Sequence, residues 1–356
     1  MIKNLFPLFL SEKPFMEKGQ ILSYCSWNDI HFLVAKIKDS KAIRRIFVET
    51  VAAFLPKNLS DKLKNVPPEM MEHLEEIRIR IGRPLEVTAK GIPCFLPYTV
   101  GAEDAVHLMN KISHFSIYTL EEELKRGYIT IEGGHRVGLA GKVILDGGKV
   151  KAIRDISSFN IRVAREKIGT ADRLIPYLYS SGWLHTMVVG PPQTGKTTLL
   201  RDIARIVSSG AANPAIAAQK AGIVDERSEI AGSVSGIPQM TFGPRVDVLD
   251  ACPKAEGMMM MIRSMSPDVL LVDEIGRQED GEAIMEAVHA GIKLMMTTHG
   301  RSWEEIKNRP TLKQILESGI FERYVILDRT GGPGNIASIL DKSGREIHRE
   351  AAVNLA

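Results

Sequence analysis

The chain has 356 residues, 44% of them hydrophobic and 25% charged, with a formal net charge of +3. That length allows two domains, each with its own core. So small a charge, with 6% aromatic residues, argues against a nucleic-acid binder, which needs a basic footprint and stacking platforms. Cys25, Cys94 and Cys252 stand far apart with no CxxC pair, which excludes a disulfide framework or a zinc ribbon and fits a reducing cytosol. No run approaches the ~18 apolar residues of a membrane span. The apolar stretch from Leu5 to Leu10 is short and broken by Pro7, so no signal peptide is expected. Membrane association is expected only through partners.

Residues 1–47 show no clean period and are read as an N-terminal extension without an assigned function. From Val48, prolines punctuate short helical pieces. In "EEIRIRIGRPLEV", Ile77, Ile79 and Ile81 fall on one face of a strand and Arg78 and Arg80 on the other. Arg78, Arg80 and Arg83 form a basic stripe balanced by Glu75, Glu76 and Glu86. "AEDAVHLMNKISHFS" has the pattern of an amphipathic helix. A β-meander follows, with turns at Gly133-Gly134 and Gly147-Gly148. These elements predict a smaller α+β N-terminal domain over 48–168.

A helix is expected to begin near Thr170, as its N-cap. From there to 356 apolar strands alternate with helices, the pattern of a parallel sheet covered on both faces. "AGIVDE" is followed by what reads as a long loop. "CPKAEGMMMMIRSMSPD" reads as a helix with Met258, Met259, Met261, Ile262 and Met265 on one arc. Glu256, Gly257, Arg263 and Ser264 share the other arc with Met260. The C-terminal end predicts one or two hairpins.

The strongest chemical signal is "GPPQTGKTT", Gly190, Pro191, Pro192, Gln193, Thr194, Gly195, Lys196, Thr197 and Thr198, between an apolar strand and a helix. Glycines let backbone N–H groups converge on phosphate oxygens, and the helix start adds its positive dipole end. Lys196 is expected to reach the β- and γ-phosphates, and Thr197 to place a hydroxyl on Mg²⁺. "PDVLLVDEIG" delivers Asp273 and Glu274 to the C-terminal end of a strand, where ligands bind in open α/β sheets. Asp273 is the expected second metal group, and Glu274 the residue that polarises the attacking water. Asp225, Glu226, Arg227 and Glu229 in "GIVDERSEI" and Thr297, Thr298 and His299 in "LMMTTHG" end further apolar runs and are candidates to stand near the γ-phosphate, with Asp225, Glu226 and His299 the leading ones. The fold class predicted is α/β, a RecA-like P-loop NTPase core behind the smaller α+β domain, and the activity ATP hydrolysis with ATP and Mg²⁺.

"EIRIRIGRPLEV", "GHRVGLAGKV", "ISSFNIRVARE", "GIVDERSEIAG", "RVDVLDACPKAEGMMMMIRSMSPD" and "VDEIGR", with the P-loop, resemble the stage III sporulation AA family of endospore-forming bacteria, from about residue 48 to the C-terminus. More distantly the chain is similar to the type II and type IV secretion ATPases. That resemblance implies a ring, usually hexameric, on the cytoplasmic face of a membrane, with Walker A, an Asp box, Walker B and a His box at Gly190–Thr197, Asp225-Glu226, Asp273-Glu274 and His299. It also implies a motor that works with membrane-embedded components of a channel between mother cell and forespore. Two departures stand out. Secretion ATPases often have Gly where this chain has Asp273, and proline where it has Arg227. Charge building on a transferred phosphoryl calls for an arginine, often from a neighbouring subunit. Among Arg136, Arg154, Arg162 and Arg165, the expectation rests on Arg136 and Arg162. The competing reading is a single-stranded nucleic-acid-binding P-loop ATPase, since fold alone does not decide function.

Overall fold

The computed structural model of the chain describes residues 50–113, 120–212, 215–330 and 332–349. The expected extension 1–47, with Cys25, lies outside them. The described residues belong to one compact unit, Arg44–Ala356.

Prolines open the first helices, as the punctuation predicts. Pro56 precedes α1 (Lys57–Leu63), and Pro68 occupies the first position of α2 (Pro68–Glu72), where a missing N–H is harmless. Then come β1 (Leu74–Arg80), β2 (Pro84–Ala89), β3 (Ile92–Thr99), α3 (Ala102–Ile112), α4 (Glu121–Arg126), β4 (Tyr128–Ile131), β5 (His135–Asp146) and β6 (Lys149–Arg162). The strands form one six-stranded sheet in the order β3-β2-β1-β6-β5-β4, with every neighbouring pair antiparallel. Both expected glycine turns are present, with φ of 84° and 70° at Gly133 and Gly134 and 54° and 77° at Gly147 and Gly148. At Gly147-Gly148, the two-residue turn between paired Asp146 and Lys149, positive φ at both central residues matches the right-handed twist of the strands they join. Ile77, Ile79 and Ile161 are fully buried and belong to one core with Leu59, Leu63 and Leu108 of the helices. Ile81 departs from its expected face. The strand ends at Arg80, and Ile81 is 39% exposed. Arg78 pairs with Glu76 and Arg80 with Glu86, at 2.9 and 2.6 Å, so the basic stripe is largely neutralised within its own sheet.

The expected helix at Thr170 is replaced by tighter turns. A 3₁₀ turn over Asp172–Leu174 leads into α5 (Ile175–Leu178), a single turn. The Thr170 hydroxyl donates to Asp202 Oδ2 at 3.3 Å, so it serves a neighbouring helix instead of capping its own. The second sheet is built from β7 (Thr186–Gly190), α6 (Lys196–Ser209), β8 (Ala221–Asp225), β9 (Val246–Asp250), α7 (Lys254–Ser264), β10 (Val269–Val272), α8 (Gln278–His289) and β11 (Lys293–His299). It continues through α9 (Trp303–Lys307), α10 (Pro310–Glu317), β12 (Arg323–Asp328), β13 (Asn335–Asp341) and β14 (Glu346–His348). The strand order is β14-β13-β12-β7-β11-β10-β8-β9. β9 through β12 run parallel, and β13 and β14 close one edge antiparallel. β7, β8 and β10 are buried along their whole length, as strands covered on both faces must be. One strand is a correction. β9 lies in what reads as a loop, because none of its five residues is fully buried and Asp247 and Asp250 interrupt its apolar residues at the sheet edge.

α7 carries the methionine run. Met258 and Met261 are buried, and Met259 and Ile262 are half-buried against the same core. Met265 departs from the predicted arc. The helix ends at Ser264, and Met265 is 42% exposed. Gly257 also moves, from the polar arc to the core. A β-carbon there would lie 2.5 Å from Val224 Cγ1 and 3.1 Å from Cys252 Sγ, so the absent side chain lets α7 settle onto β8. Met260 is exposed, as its position among the polar residues predicts.

Candidate functional site

Gly190 ends β7, and the next residues turn sharply into α6. Space is why glycine stands at both ends of that turn. A β-carbon on Gly190 would lie 2.5 Å from Thr194 Oγ1, and one on Gly195 would lie 3.0 Å from Gly334 N. Gly195 is also left-handed, at φ 91°, and forms the N-cap of α6. The turn is braced from outside. Gly334 donates its N–H to Thr194 O at 2.8 Å, Arg173 donates to Gly334 O at 2.5 Å, and Arg329 donates to Pro192 O. Thr194 is buried, and its hydroxyl donates to Pro191 O at 2.9 Å. Lys196 is 5% exposed. Its ammonium donates to Gly190 O at 2.9 Å and to Pro191 O at 3.0 Å. Burial pulls its pKa below the usual lysine value, while Asp273 and Glu274 act in the opposite direction. The apolar face of α6, with Leu199, Leu200, Ile203, Ile206 and Val207 all buried, anchors this turn to the sheet.

Strand order assembles the rest. β11 lies between β7 and β10, with His299 in register with Gly190 and Met296 with Val272. The end of β11 therefore sits between the phosphate turn and the two carboxylates. Thr197 Oγ1 donates to Asp273 Oδ2 at 2.6 Å, and the Thr297 hydroxyl donates to Asp273 Oδ1. Thr297 Oγ1 also accepts the Glu274 N–H at 2.9 Å. Glu274 has φ 55°, a left-handed conformation that costs a non-glycine residue on the order of 1 kcal/mol and collects at functional positions. His299 links the two halves. Its Nδ1 lies 3.3 Å from Lys196 Nζ, and its Nε2 lies 2.9 Å from Glu274 Oε1. With the ammonium donating to Nδ1, the ring proton belongs on Nε2, from which it donates to the carboxylate.

The other expected site residues stand further along the same edge. Asp225 is 2% exposed, and its carboxylate accepts N–H bonds from Glu229, Ile230 and Ala231 at 2.9, 2.9 and 2.8 Å. It shapes the loop after β8, and burial pushes its carboxyl up to about 6 against the pull of those N–H groups. Asp225→Ala leaves three N–H groups without their acceptor, and is expected to lower stability by about 2–4 kcal/mol, read as a drop in melting temperature. Glu226 turns toward Lys254 at 2.9 Å and Arg277 at 3.6 Å, and the Lys254 ammonium holds its carboxyl below the usual range although burial raises it. Neither carboxylate is hydrogen-bonded to Lys196, Thr197 or His299. Arg136 pairs with Glu229 at 2.6 Å, and its guanidinium lies 3.5 Å from the Tyr128 ring centroid. Arg162 lies on the first sheet, 3.8 Å from Glu76 and with a mostly exposed side chain.

One contributor, Arg201, escapes sequence reasoning, and two expected polar residues gain partners that no local pattern shows. Thr297 bonds both to Asp273 and to the Glu274 backbone. Arg227 reaches Glu274 Oε2 at 2.7 Å; it is one of the polar residues after β8 expected near the γ-phosphate, and its partner is set by strand order. Arg201 on α6 is buried and donates to Ile230 O and Glu229 O, each at 2.6 Å, and nothing in the helix pattern distinguishes it from a solvated arginine.

The residues fit a nucleotide phosphate with Mg²⁺. α6 is a 14-residue helix whose first N–H groups open onto a turn that a β-carbon would fill. Among the described residues no cluster of three or more His, Cys, Asp or Glu side chains could hold a metal. The hydroxyl–carboxylate pair of Thr197 and Asp273 instead suits an ion that takes hard oxygens, keeps waters and shares phosphate oxygens.

Comparison with known proteins agrees with this architecture. The chain is 54% identical over 303 residues to "Stage III sporulation protein AA" of Bacillus subtilis (strain 168), covering 85% of this chain and 98% of that protein. In structure it is similar to the ATPase DotB of Yersinia pseudotuberculosis, with a TM-score of 0.53, 15% identity, and coverage of 81% of this chain and 80% of that one. It is also similar to the pilus retraction motor PilT with bound ADP, with a TM-score of 0.50, 17% identity, and coverage of 72% and 75%. The fold shared with these structures is a RecA-like P-loop core. The model of the family "Sporulation stage III, protein AA" matches residues 47–347, and the chain belongs to that family.

Proposed function

We propose that the chain hydrolyses ATP and works as a motor in an oligomeric ring, hexameric as in the secretion ATPases it resembles. The observation that carries this reading is the run of contacts Lys196–His299–Glu274 beside the pair Thr197–Asp273, all at one end of a parallel sheet. Lys196 leaves the loop carbonyls for the β- and γ-phosphates. Gly190 to Thr198 form the phosphate cradle. Thr197 and Asp273 hold Mg²⁺, which when bound neutralises charge on the phosphate oxygens. Glu274 orients and polarises the attacking water, and His299 keeps that carboxylate in line with the phosphate turn. The PilT structure holds ADP, which supports the nucleotide assignment.

The name of the Bacillus relative supports a role in endospore formation, in which the motor drives a mother cell–forespore channel or secretion complex. No described helix is long and apolar enough to cross a membrane; it is the family resemblance that supports a ring at the mother-cell side, held there by membrane-embedded partners. Residues 48–168 form the part that moves against the core, 169–356, as ATP closes and opens the cleft between them.

Catalysis in trans makes a direct prediction. Specific ATPase activity is expected to rise steeply with protein concentration. Arg136→Ala or Arg162→Ala is expected to lower turnover about 10-fold or more while the protein still binds ATP. A specific activity independent of concentration, with both variants at wild-type rate, sinks the trans-arginine reading.

A further inference from the structure

Arg227 follows the Asp box directly, in a loop that bends sharply. Ser228 has φ 53°, and its hydroxyl donates to Asp250 Oδ1 at 2.7 Å. From that bend the side chain of Arg227 reaches back to Glu274 Oε2 at 2.7 Å. The other oxygen of the same carboxylate takes the His299 ring proton. Glu274 is therefore gripped at both oxygens, by one cation on the β8–β9 loop and one ring on β11.

The backbone of this loop is bound on two further sides. On the side of the first sheet, the Tyr128 hydroxyl donates to Arg227 O at 3.3 Å, and Arg136 ion-pairs with Glu229 while lying over the Tyr128 ring. On the side of the P-loop helix, Arg201 donates to Glu229 O and Ile230 O. Residues 227–230 thus touch the candidate catalytic carboxylate, the helix that starts at the phosphate turn, and the β4–β5 edge of the N-terminal sheet.

We infer that Arg227 is a positioning residue for Glu274, and that residues 227–230 are the joint through which nucleotide at the P-loop is felt by the N-terminal sheet. The inference rests on the ATPase reading. Lys196 touches His299 and His299 touches Glu274, so the run of contacts is continuous from the phosphate turn to Arg227. When Lys196 turns to a phosphate it gives up His299 Nδ1. The His299 ring, freed at that nitrogen, and Arg227 then hold Glu274 between them, and a shift of that carboxylate pulls on a loop already fastened to Tyr128 and Arg136. A rigid, short connection of ion pairs and N–H bonds carries such a shift better than a loop of solvated side chains.

Two measurements on the full chain test it. In the first, hydrogen exchange of the β4–β5 amides is followed with and without a saturating non-hydrolysable ATP analogue. Wild type is expected to change its protection over 128–138, and Arg227→Ala to lose most of that change although the analogue is bound. In the second, steady-state kinetics are expected to show kcat reduced about 10-fold in Arg227→Ala with KM within about two-fold, and Arg227→Lys to recover part of kcat. If the alanine variant transmits the analogue's effect to β4–β5 as wild type does, the joint is elsewhere. If its kcat is unchanged, or lysine restores nothing, Arg227 does not position Glu274. If wild type fails to bind the analogue at all, the ATPase reading itself has failed, a result distinct from the other two.

Discussion

Lys196→Ala is expected to lower ATP turnover by roughly 10²–10³-fold, the scale on which a single aimed charge acts in a preorganised site. The amine is 5% exposed and rests on two carbonyls of its own turn. An incoming phosphate replaces those neutral acceptors with an anion at little cost in reorganisation. The variant keeps the turn, whose shape depends on Gly190, Gly195 and the brace from Gly334, so the fold is expected to persist. Binding shows the loss independently of catalysis. A nucleotide at about 100 times its dissociation constant stabilises the folded state by about 2.7 kcal/mol. Wild type is therefore expected to melt at a higher temperature with ATP and Mg²⁺, and Lys196→Ala to show little of that rise.

Glu274→Gln separates binding from chemistry. The amide keeps the size of the side chain and removes the charge proposed to polarise water. Turnover is expected to fall by about 10²–10⁴-fold, the usual range for a positioned general base. ATP binding is expected to survive, because the phosphate cradle lies on α6 and its turn. The effect on stability is expected to be small. The Arg227 partner that loses its ion pair is more than half exposed, and exposed pairs contribute roughly 0–1 kcal/mol. A melting curve close to wild type, with ATP still raising it, would tie the lost activity to the carboxylate.

Much of this was legible in the sequence, for physical reasons. Fully buried strands leave uninterrupted apolar runs, so β7, β8 and β10 could be read directly, along with the polar groups at their ends. The spacing from Gly190 to Thr197 fixes a backbone shape as well as a chemistry, and the cradle follows from it. The clustering of His299 with Lys196 and Glu274 is different. It depends on β11 lying between β7 and β10, and strand order is a long-range property that no local pattern carries. β9 escaped because a five-residue edge strand interrupted by Asp247 and Asp250 looks like a solvated loop. Ile81 and Met265 were misjudged for one reason. Each continues a periodic pattern one step past the point where its element ends, and periodicity does not mark ends well. Arg201 shows the same limit for charges, since an arginine bound to a buried carbonyl looks identical in sequence to one in water.

The methionine run found its place through packing. Met258 and Met261 fill the layer beneath the β8 and β10 ends, where flexible thioethers suit irregular gaps. Gly257 brings α7 close enough to do so. The carboxylates of Asp225 and Asp273 are thus delivered by strands whose cover includes this adaptable helix.

Glu274 is proposed to drive ATP hydrolysis at a P-loop whose Lys196 it meets through His299. The most direct test is phosphate release from ATP and Mg²⁺ by the purified full chain, beside Glu274→Gln at the same concentration. The expected result is sustained turnover by wild type and loss of nearly all of it in the variant. Equal turnover by both proteins, or none by a wild type that binds ATP, would contradict the claim.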